Sequence, residues 1–224
     1  MPSRGRLLAF LGLVPLGAFV VVHLVTTATA LSGGPRFDHV FARNTTLTAA
    51  TLLVVMLPLL AHAAWGIWVM TTTTRPADLP GWRPRLRRWA AVVTLLFIAG
   101  HVVELSVPRW MGRLPGDALY EVTEAHLSST WHSLPVVALA YLAGTAATLF
   151  HLGSSAWAAF RGSGVLLREK ATAGIKWSVV LGVVGLFILA MNTIVYMATG
   201  TRLIGREPTY VPDGPPPAAC TPKS

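Results

Sequence analysis

The chain has 224 residues, of which 53% are hydrophobic and only 12% are charged, and its formal net charge is +9. Soluble domains carry about 25% charged residues, so this composition predicts an integral membrane protein with little chain left for a soluble domain. In such a protein a basic excess indicates cytoplasmic loops rather than nucleic-acid binding. The single cysteine, Cys220, excludes an internal disulfide, a thiolate zinc site and an iron–sulfur cluster, so a redox centre would need other ligands.

Five segments reach the roughly 20 apolar residues that a helix needs to cross a bilayer. They are residues 7–31, 46–71, 89–107, 133–160 and 174–199. The first follows Arg4 and Arg6 as a signal peptide would, but its apolar run is longer than the usual 7–15 or so residues, and we expect it to be retained. The predicted fold class is therefore all-α integral membrane: a five-transmembrane-helix up-and-down bundle over residues 1–200, followed by an irregular, Pro-rich C-terminal tail over residues 201–224.

The 18 Lys and Arg residues are divided unevenly between the two sides of this bundle. Eleven fall on the side of the N-terminus: Arg4, Arg6, Arg75, Arg83, Arg85, Arg87, Arg88, Arg161, Arg168, Lys170 and Lys176. Cytoplasmic loops carry the basic excess in membrane proteins, so the N-terminus is predicted to be cytoplasmic and the C-terminus outside. The most basic stretch, residues 83–88, is explained either by this topology alone or by a docking surface for a soluble partner.

Each of the first four segments contains one histidine inside an otherwise apolar run: His23, His62, His101 and His151. An ionisable residue at membrane depth is costly and usually faces the interior of the bundle, which makes it a candidate functional residue. One such histidine could be a hydrogen-bonded packing residue, but four, one in each span, favour a common function. Zinc or copper transport is an alternative, although Glu104 is the only acidic residue at membrane depth that could assist it.

Position along a span gives depth, because an α-helix rises 1.5 Å per residue. Measured from the outer ends, His23 and His101 lie about 14 and 10 Å deep, and His62 and His151 lie about 24 and 27 Å deep. Equal depth predicts an outer pair, His23 with His101, and an inner pair, His62 with His151. Facing imidazoles can bind a haem iron from both sides, so we expect the bundle to enclose two haems. Small residues near the histidines would leave room for them: Ala61, Ala63, Gly66, Ala99, Gly100, Gly144, Ala147 and Gly153.

Glu104 lies one helical turn beyond His101, nearer the outer surface. It is either an interfacial carboxylate or the proton acceptor or donor of an outer quinone site, and it is the catalytic residue that we predict. Asn192 and Tyr196, on the outer half of the fifth span, are weaker candidates for the same site. The other histidines fall in outer loops or at a span edge, where we expect them to be solvated, with the lining of a quinone pocket as the alternative: His39, His126 and His132.

Four motifs, in order, resemble the dihaem cytochrome b membrane-anchor subunits of succinate dehydrogenases and fumarate reductases. In the first two spans they are Arg6, residues 12–17, His23, residues 57–59, His62 and Gly66. In the next two they are residues 85–88, 94–97 and 101–104, then Phe150, His151 and Trp157. The resemblance covers residues 6–160, with a weaker match in the fifth span. Each motif alone is modest, but four at fitting spacings are specific.

The resemblance implies a subunit of a succinate:quinone oxidoreductase with two b-type haems, one held by the first and third histidines and one by the second and fourth. It also implies flavoprotein and iron–sulfur subunits docked on the cytoplasmic face of a bacterial inner membrane, and a quinone that is usually menaquinone. Electrons would run from succinate through those subunits, the inner haem and the outer haem to the quinone. This chain would perform no succinate chemistry itself and would be the quinone-reactive electron-transfer subunit.

The sequence departs from the family pattern at Leu8 and Ala9, where relatives often have His-Ser, and at Ser154 and Ser155, where they commonly have Asn-Gly. The iron ligands are unaffected, but the contacts to the haem propionates cannot be carried over. Basic or donor groups near the inner ends of the spans are our candidate propionate partners: Arg6, Arg88, Trp89 and Lys176. A charge-assisted bond to a carboxylate is strong, and snorkelling of these side chains to the lipid headgroups is an equal alternative.

Two other functions stay open at this point. The first keeps the haems and changes the partner, giving a dihaem quinol-oxidising cytochrome of another respiratory complex. The second is a haem-free polytopic transporter or structural anchor. The broken, polar-lined helices expected at the midplane of a transporter are not evident in the sequence.

Overall fold

A computed structural model describes residues 2–42, 52–72, 82–114, 118–162 and 169–205. Over these ranges the chain contains helices and their connections but no strand. Five helical stretches are long and apolar enough to cross a membrane: Leu13–Ser32, Leu53–Thr72, Pro84–Trp110, Val136–Arg161 and Thr172–Thr199. We call them the first to fifth spans. The predicted fold class, all-α with five membrane-spanning helices, is confirmed, and the chain is a multi-pass membrane protein.

Proline shapes two of the spans. The second consists of a π-helical turn, Leu52–Met56, followed by an α-helix over Leu57–Thr72 that has Pro58 as its second residue. The third runs as an α-helix over Trp82–His101, as a π-helical turn over Val102–Ser106, and as a last α-turn over Val107–Trp110 that contains Pro108. A proline has no N–H to bond the carbonyl four residues earlier and its ring crowds that carbonyl. The wider turn before each proline relieves this conflict, and in the third span it begins directly after His101.

The fourth span, an α-helix over Val136–Gly162, lies at the centre of the bundle. It packs along the third span and along the fifth, an α-helix over Glu169–Thr199, and it also contacts the first, whose α-helix covers Pro2–Thr27. Two glycines allow the close approach. A Cβ on Gly144 would lie 2.2 Å from Phe97 Cγ of the third span, and a Cβ on Gly153 would lie 2.8 Å from Val183 of the fifth.

Two short helices cover the end of the bundle where the first and third spans finish. They are Gly34–Ala42 and Leu119–Leu127, and we call this end the capped end. Phe37, Leu119 and Leu127 are buried there against the ends of the first and fifth spans. Both helices lie in the connections between the predicted spans, where the apolar runs indicate no helix. Apolar side chains four or eight residues apart, such as Phe37 with Phe41 and Leu119 with Leu127, give each helix a face to bury.

Polar contacts fix this cap. Asp38 Oδ1 accepts a hydrogen bond of 2.9 Å from the backbone N–H of Tyr120. The Tyr120 ring lies against Gly34, where a Cβ would come within 3.0 Å of it. Burial, then the neighbouring Glu124 and Tyr196, raises the pKa of Tyr120 to about 12, so its hydroxyl stays protonated at physiological pH. The two short helices therefore hold each other over the ends of the spans.

The opposite end of the bundle, where the third span begins, is basic. The third span is predicted to begin at residue 89, but its helix already starts at Trp82, so Arg85, Arg87 and Arg88 lie exposed on its first turns. We call this the basic end. Residues 1, 43–51, 73–81, 115–117, 163–168 and 206–224 lie outside the described residues, and they include most of the predicted tail.

Candidate functional site

The first histidine pair lies toward the capped end. His23 of the first span and His101 of the third have ring centroids 5.8 Å apart, with the ring planes at 72°. Phe19 stacks on His23 at 5.3 Å, and Phe97 lies 5.9 Å from His101. Both histidines are partly buried. The structure thus brings together the two residues that equal depth predicts to form the outer pair.

The second pair lies toward the basic end. His62 of the second span and His151 of the fourth have ring centroids 6.2 Å apart, with the planes at 66°. His151 follows Tyr141, which contacts His101, by ten residues on one continuous helix. That separation corresponds to roughly 15 Å along the helix axis. Four histidines from four spans therefore form two pairs at two levels of the bundle.

The spacing within each pair suits a single metal ion between the rings. Two imidazoles that bind one metal from opposite sides at about 2 Å have ring centres roughly 6 Å apart. No group of three or more His, Cys, Asp or Glu side chains in the described part of the chain could hold a metal ion. Each pair can therefore offer two nitrogen ligands, which fits a haem iron, whose other four ligands come from the porphyrin, better than a zinc or copper ion held by protein alone.

The small residues near the histidines fall into two groups. A Cβ on Gly66, near His62, or on Gly100, next to His101, would meet nothing within 4 Å, so no neighbouring side chain fills these two positions. Gly144 and Gly153, in contrast, are filled by Phe97 and Val183. The expectation that all of these residues leave room for a cofactor is therefore wrong for Gly144 and Gly153, which serve helix packing.

Glu104 contacts two side chains from other helices. The Tyr141 hydroxyl of the fourth span donates a hydrogen bond of 3.0 Å to Glu104 Oε2, and His126 of the cap forms an ion pair with Glu104 Oε1. The Tyr141 hydroxyl also lies 3.3 Å from His101 Nδ1. The order His126, Glu104, Tyr141, His101 is thus a continuous chain of polar contacts from the cap to the first histidine pair.

Sequence reasoning did not join two members of this chain to it. His126 is expected to be solvated, with the lining of a quinone pocket as the alternative; the structure pairs it with Glu104, while 42% of its side chain remains exposed. Tyr141 carries no sequence motif, although its depth can be calculated in the same way as that of the histidines. It lies eight residues from the predicted start of its span, about 12 Å deep, close to the level of His101.

The other predicted residues lie apart from this chain. Asn192 is engaged structurally: its side-chain oxygen accepts from the backbone N–H groups of Leu203 and Ile204, and its amide donates to the Ile204 carbonyl. Tyr196 lies under the Arg202 guanidinium, 5.3 Å from it. His39 and His132 are exposed.

Of the four candidate propionate partners, three have described side chains. Arg88 and Trp89 are exposed at the basic end, Trp89 to 67%. Lys176 is exposed as well, and its Nζ lies 5.9 Å from the Trp177 ring. Arg6 lies within the first helix, but its side chain is outside the described residues. All three described side chains are thus accessible at the end where the second histidine pair lies.

The fold and the paired histidines define a class, a five-span membrane protein with two pairs of neighbouring histidines inside its bundle. Among known proteins, the chain is similar to the succinate dehydrogenase cytochrome b558 subunit of Bacillus subtilis (strain 168). The two are 28% identical over 159 residues, which cover 68% of this chain and 75% of that protein. No family model matches the chain, and no solved structure matches it. The resemblance recognised in the sequence is confirmed, since the chain is similar to a succinate dehydrogenase cytochrome b subunit.

Proposed function

We propose that this chain is the membrane-anchor cytochrome b subunit of a succinate dehydrogenase and passes electrons between an iron–sulfur subunit and a membrane quinone. The observation that carries the proposal is the pair of bis-histidine sites, with ring centroids 5.8 and 6.2 Å apart, built from four different spans. The similarity to a succinate dehydrogenase cytochrome b558 subunit supports both the cofactor and the complex.

His23 and His101 would hold one b-type haem, and His62 and His151 the other. When bound, the two haems supply one-electron redox chemistry between the partner subunit and the quinone. The chain's own contribution is to hold the imidazoles on packed helices, because ligand orientation set by rigid elements is more precise than orientation set by loops. The apolar rings of Phe19 and Phe97 lie beside the first pair.

Glu104 is our candidate for proton exchange with the quinone, which we place near the capped end and take to be a menaquinone. Reduction or oxidation of a quinone moves protons as well as electrons, so a carboxylate beside the site can accept or donate those protons. Glu104 Oε1 faces His126, which is partly exposed, and Oε2 faces Tyr141. His126 thus offers the carboxylate a titratable partner on the side of the cap.

The basic end would receive the flavoprotein and iron–sulfur subunits on the cytoplasmic face of a bacterial inner membrane. Basic residues gather on cytoplasmic sides, which puts the N-terminus inside, and the capped end and C-terminus outside. The exposed Arg85, Arg87 and Arg88 are available there for a soluble partner. The same end offers Arg6, Arg88, Trp89 and Lys176 as donors to haem propionates, since a charge-assisted bond to a carboxylate is strong.

Replacement of single ligands tests the proposal. We expect His62→Ala or His151→Ala to lose one haem and His23→Ala or His101→Ala to lose the other, measured as haem per polypeptide in redox-difference spectra. His39→Ala is the matched control, because His39 is exposed in the cap and should leave both haems. Two full-strength haems in any of the four ligand variants would contradict the assignment. Co-purification with a catalytic partner other than a flavoprotein and an iron–sulfur protein would instead favour a cytochrome of another respiratory complex.

A further inference from the structure

Tyr141 connects the first histidine pair to a charged group, and its contacts have a fixed direction. A carboxylate only accepts hydrogen bonds, and a phenol has a single O–H proton. The Tyr141 hydroxyl donates that proton to Glu104 Oε2 at 3.0 Å. Toward His101 Nδ1, 3.3 Å away, its oxygen can therefore only accept. A hydrogen bond between the two therefore requires the proton of His101 on Nδ1, which leaves the lone pair on Nε2.

The packing around Tyr141 holds this geometry. The Phe97 ring lies edge-on to Tyr141 at 5.4 Å and fits against the bare Cα of Gly144, one turn along the fourth span from Tyr141. His101 ends the α-helical part of the third span, and Glu104 lies in the π-helical turn that follows, so both partners of Tyr141 come from the same span. The hydroxyl thus meets a histidine and a carboxylate that the backbone has already placed.

We propose that Tyr141 is a positioning residue for His101: it fixes the tautomer that leaves Nε2 free to bind iron, and it transmits the negative charge of Glu104 to that imidazole. The inference rests on the proposed function, since it needs a haem at the first pair. Partners of this kind, which accept the second ring N–H of a ligating histidine, orient the ring and raise its basicity.

The expected consequence concerns the redox potential. A more basic imidazole favours oxidised iron over reduced iron, so Tyr141 and Glu104 lower the midpoint potential of the haem held by His23 and His101. Loss of the Tyr141 hydroxyl should weaken this preference up to tenfold, which for a one-electron couple raises the potential by up to about 59 mV. The haem held by His62 and His151 lies at the other level of the bundle and provides an internal reference.

The experiment is a redox titration of the purified complex that resolves both haems, with Tyr141→Phe compared with the wild type. Tyr196→Phe is the matched control, because it removes a hydroxyl at the same end of the bundle from a residue that lies beside Arg202. We expect a raised potential for the capped-end haem in Tyr141→Phe only, and an unchanged basic-end haem. Equal potentials in Tyr141→Phe and the wild type would overturn the proposal.

A double-mutant cycle tests whether the charge acts through Tyr141. Glu104→Gln keeps an acceptor for the hydroxyl and removes the charge, so it should also raise the potential. If Tyr141 transmits the effect, the two shifts are not additive in the double variant; additive shifts would refute the transmission. Glu104→Gln also decides the matter if Tyr141→Phe fails to assemble, since an unchanged capped-end potential there would refute the proposal. A wild-type protein without any haem would instead refute the proposed function itself.

Discussion

The contact between Gly144 and Phe97 allows a sharp test of how the third and fourth spans support the first histidine pair. In Gly144→Ala the new Cβ would lie 2.2, 2.3 and 2.8 Å from three Phe97 atoms, whereas real Cβ contacts essentially never fall below 3.0 Å. The obstacle is a ring and its Cβ, not the flexible end of a long side chain. Either the ring or the helices must therefore move by about an ångström, and the ring also contacts His101 and Tyr141.

Two opposing effects determine how much Gly144→Ala changes the free energy of unfolding. Overpacking of a core typically costs about 1–3 kcal/mol, while alanine in place of a helical glycine gains about 0.5–1 kcal/mol. We therefore expect Gly144→Ala to lower the melting temperature in detergent by several degrees and to reduce occupancy of the capped-end haem before that of the other. Gly182→Ala is the control, because a Cβ there would meet nothing within 4 Å. Equal melting temperatures and haem contents in the two variants would show that the Phe97 contact does not govern this site.

Three further predictions concern other parts of the chain. Asn192→Ala removes three hydrogen bonds to residues 203–204, so we expect faster proteolysis after Thr199 with both haems retained; wild-type cleavage rates would contradict the anchoring role. Leu149→Ala opens a cavity at the most buried large side chain of the fourth span, so the free energy of unfolding in detergent should fall by about 2–5 kcal/mol. A decrease of less than about 1 kcal/mol would mean that the neighbouring side chains fill the cavity or that Leu149 is less well packed than the structure shows. Glu104→Gln should slow quinone turnover at least tenfold while both haems still bind. A wild-type rate in this variant would show that Glu104 does not exchange protons with the quinone.

Much of the fold could be predicted because a bilayer requires every span to be long and apolar, so the five segments follow from the apolar runs in the sequence. Depth was equally accessible, because helical rise converts sequence position into height. This is why sequence position alone pairs His23 with His101 and His62 with His151.

The sequence did not show in which direction each side chain points around the axis of its helix. Depth places Tyr141 level with His101, but only the rotation of two packed helices brings its hydroxyl between His101 and Glu104. The π-helical turn before Pro108 changes that rotation locally, and its position is not visible in a hydropathy pattern. The cap was missed for a different reason. Its helices are short, and the burial of residues such as Phe37 against the spans outweighs their weak helical signal.

The most direct test of two bis-histidine haem sites is the number of haems per polypeptide in the purified chain, measured by absorption spectroscopy against quantified protein. We predict two b-type haems in the wild type, one in a variant of either histidine pair, and two in His39→Ala. A colourless wild-type protein, or a variant of His23, His62, His101 or His151 that keeps both haems, would contradict this assignment.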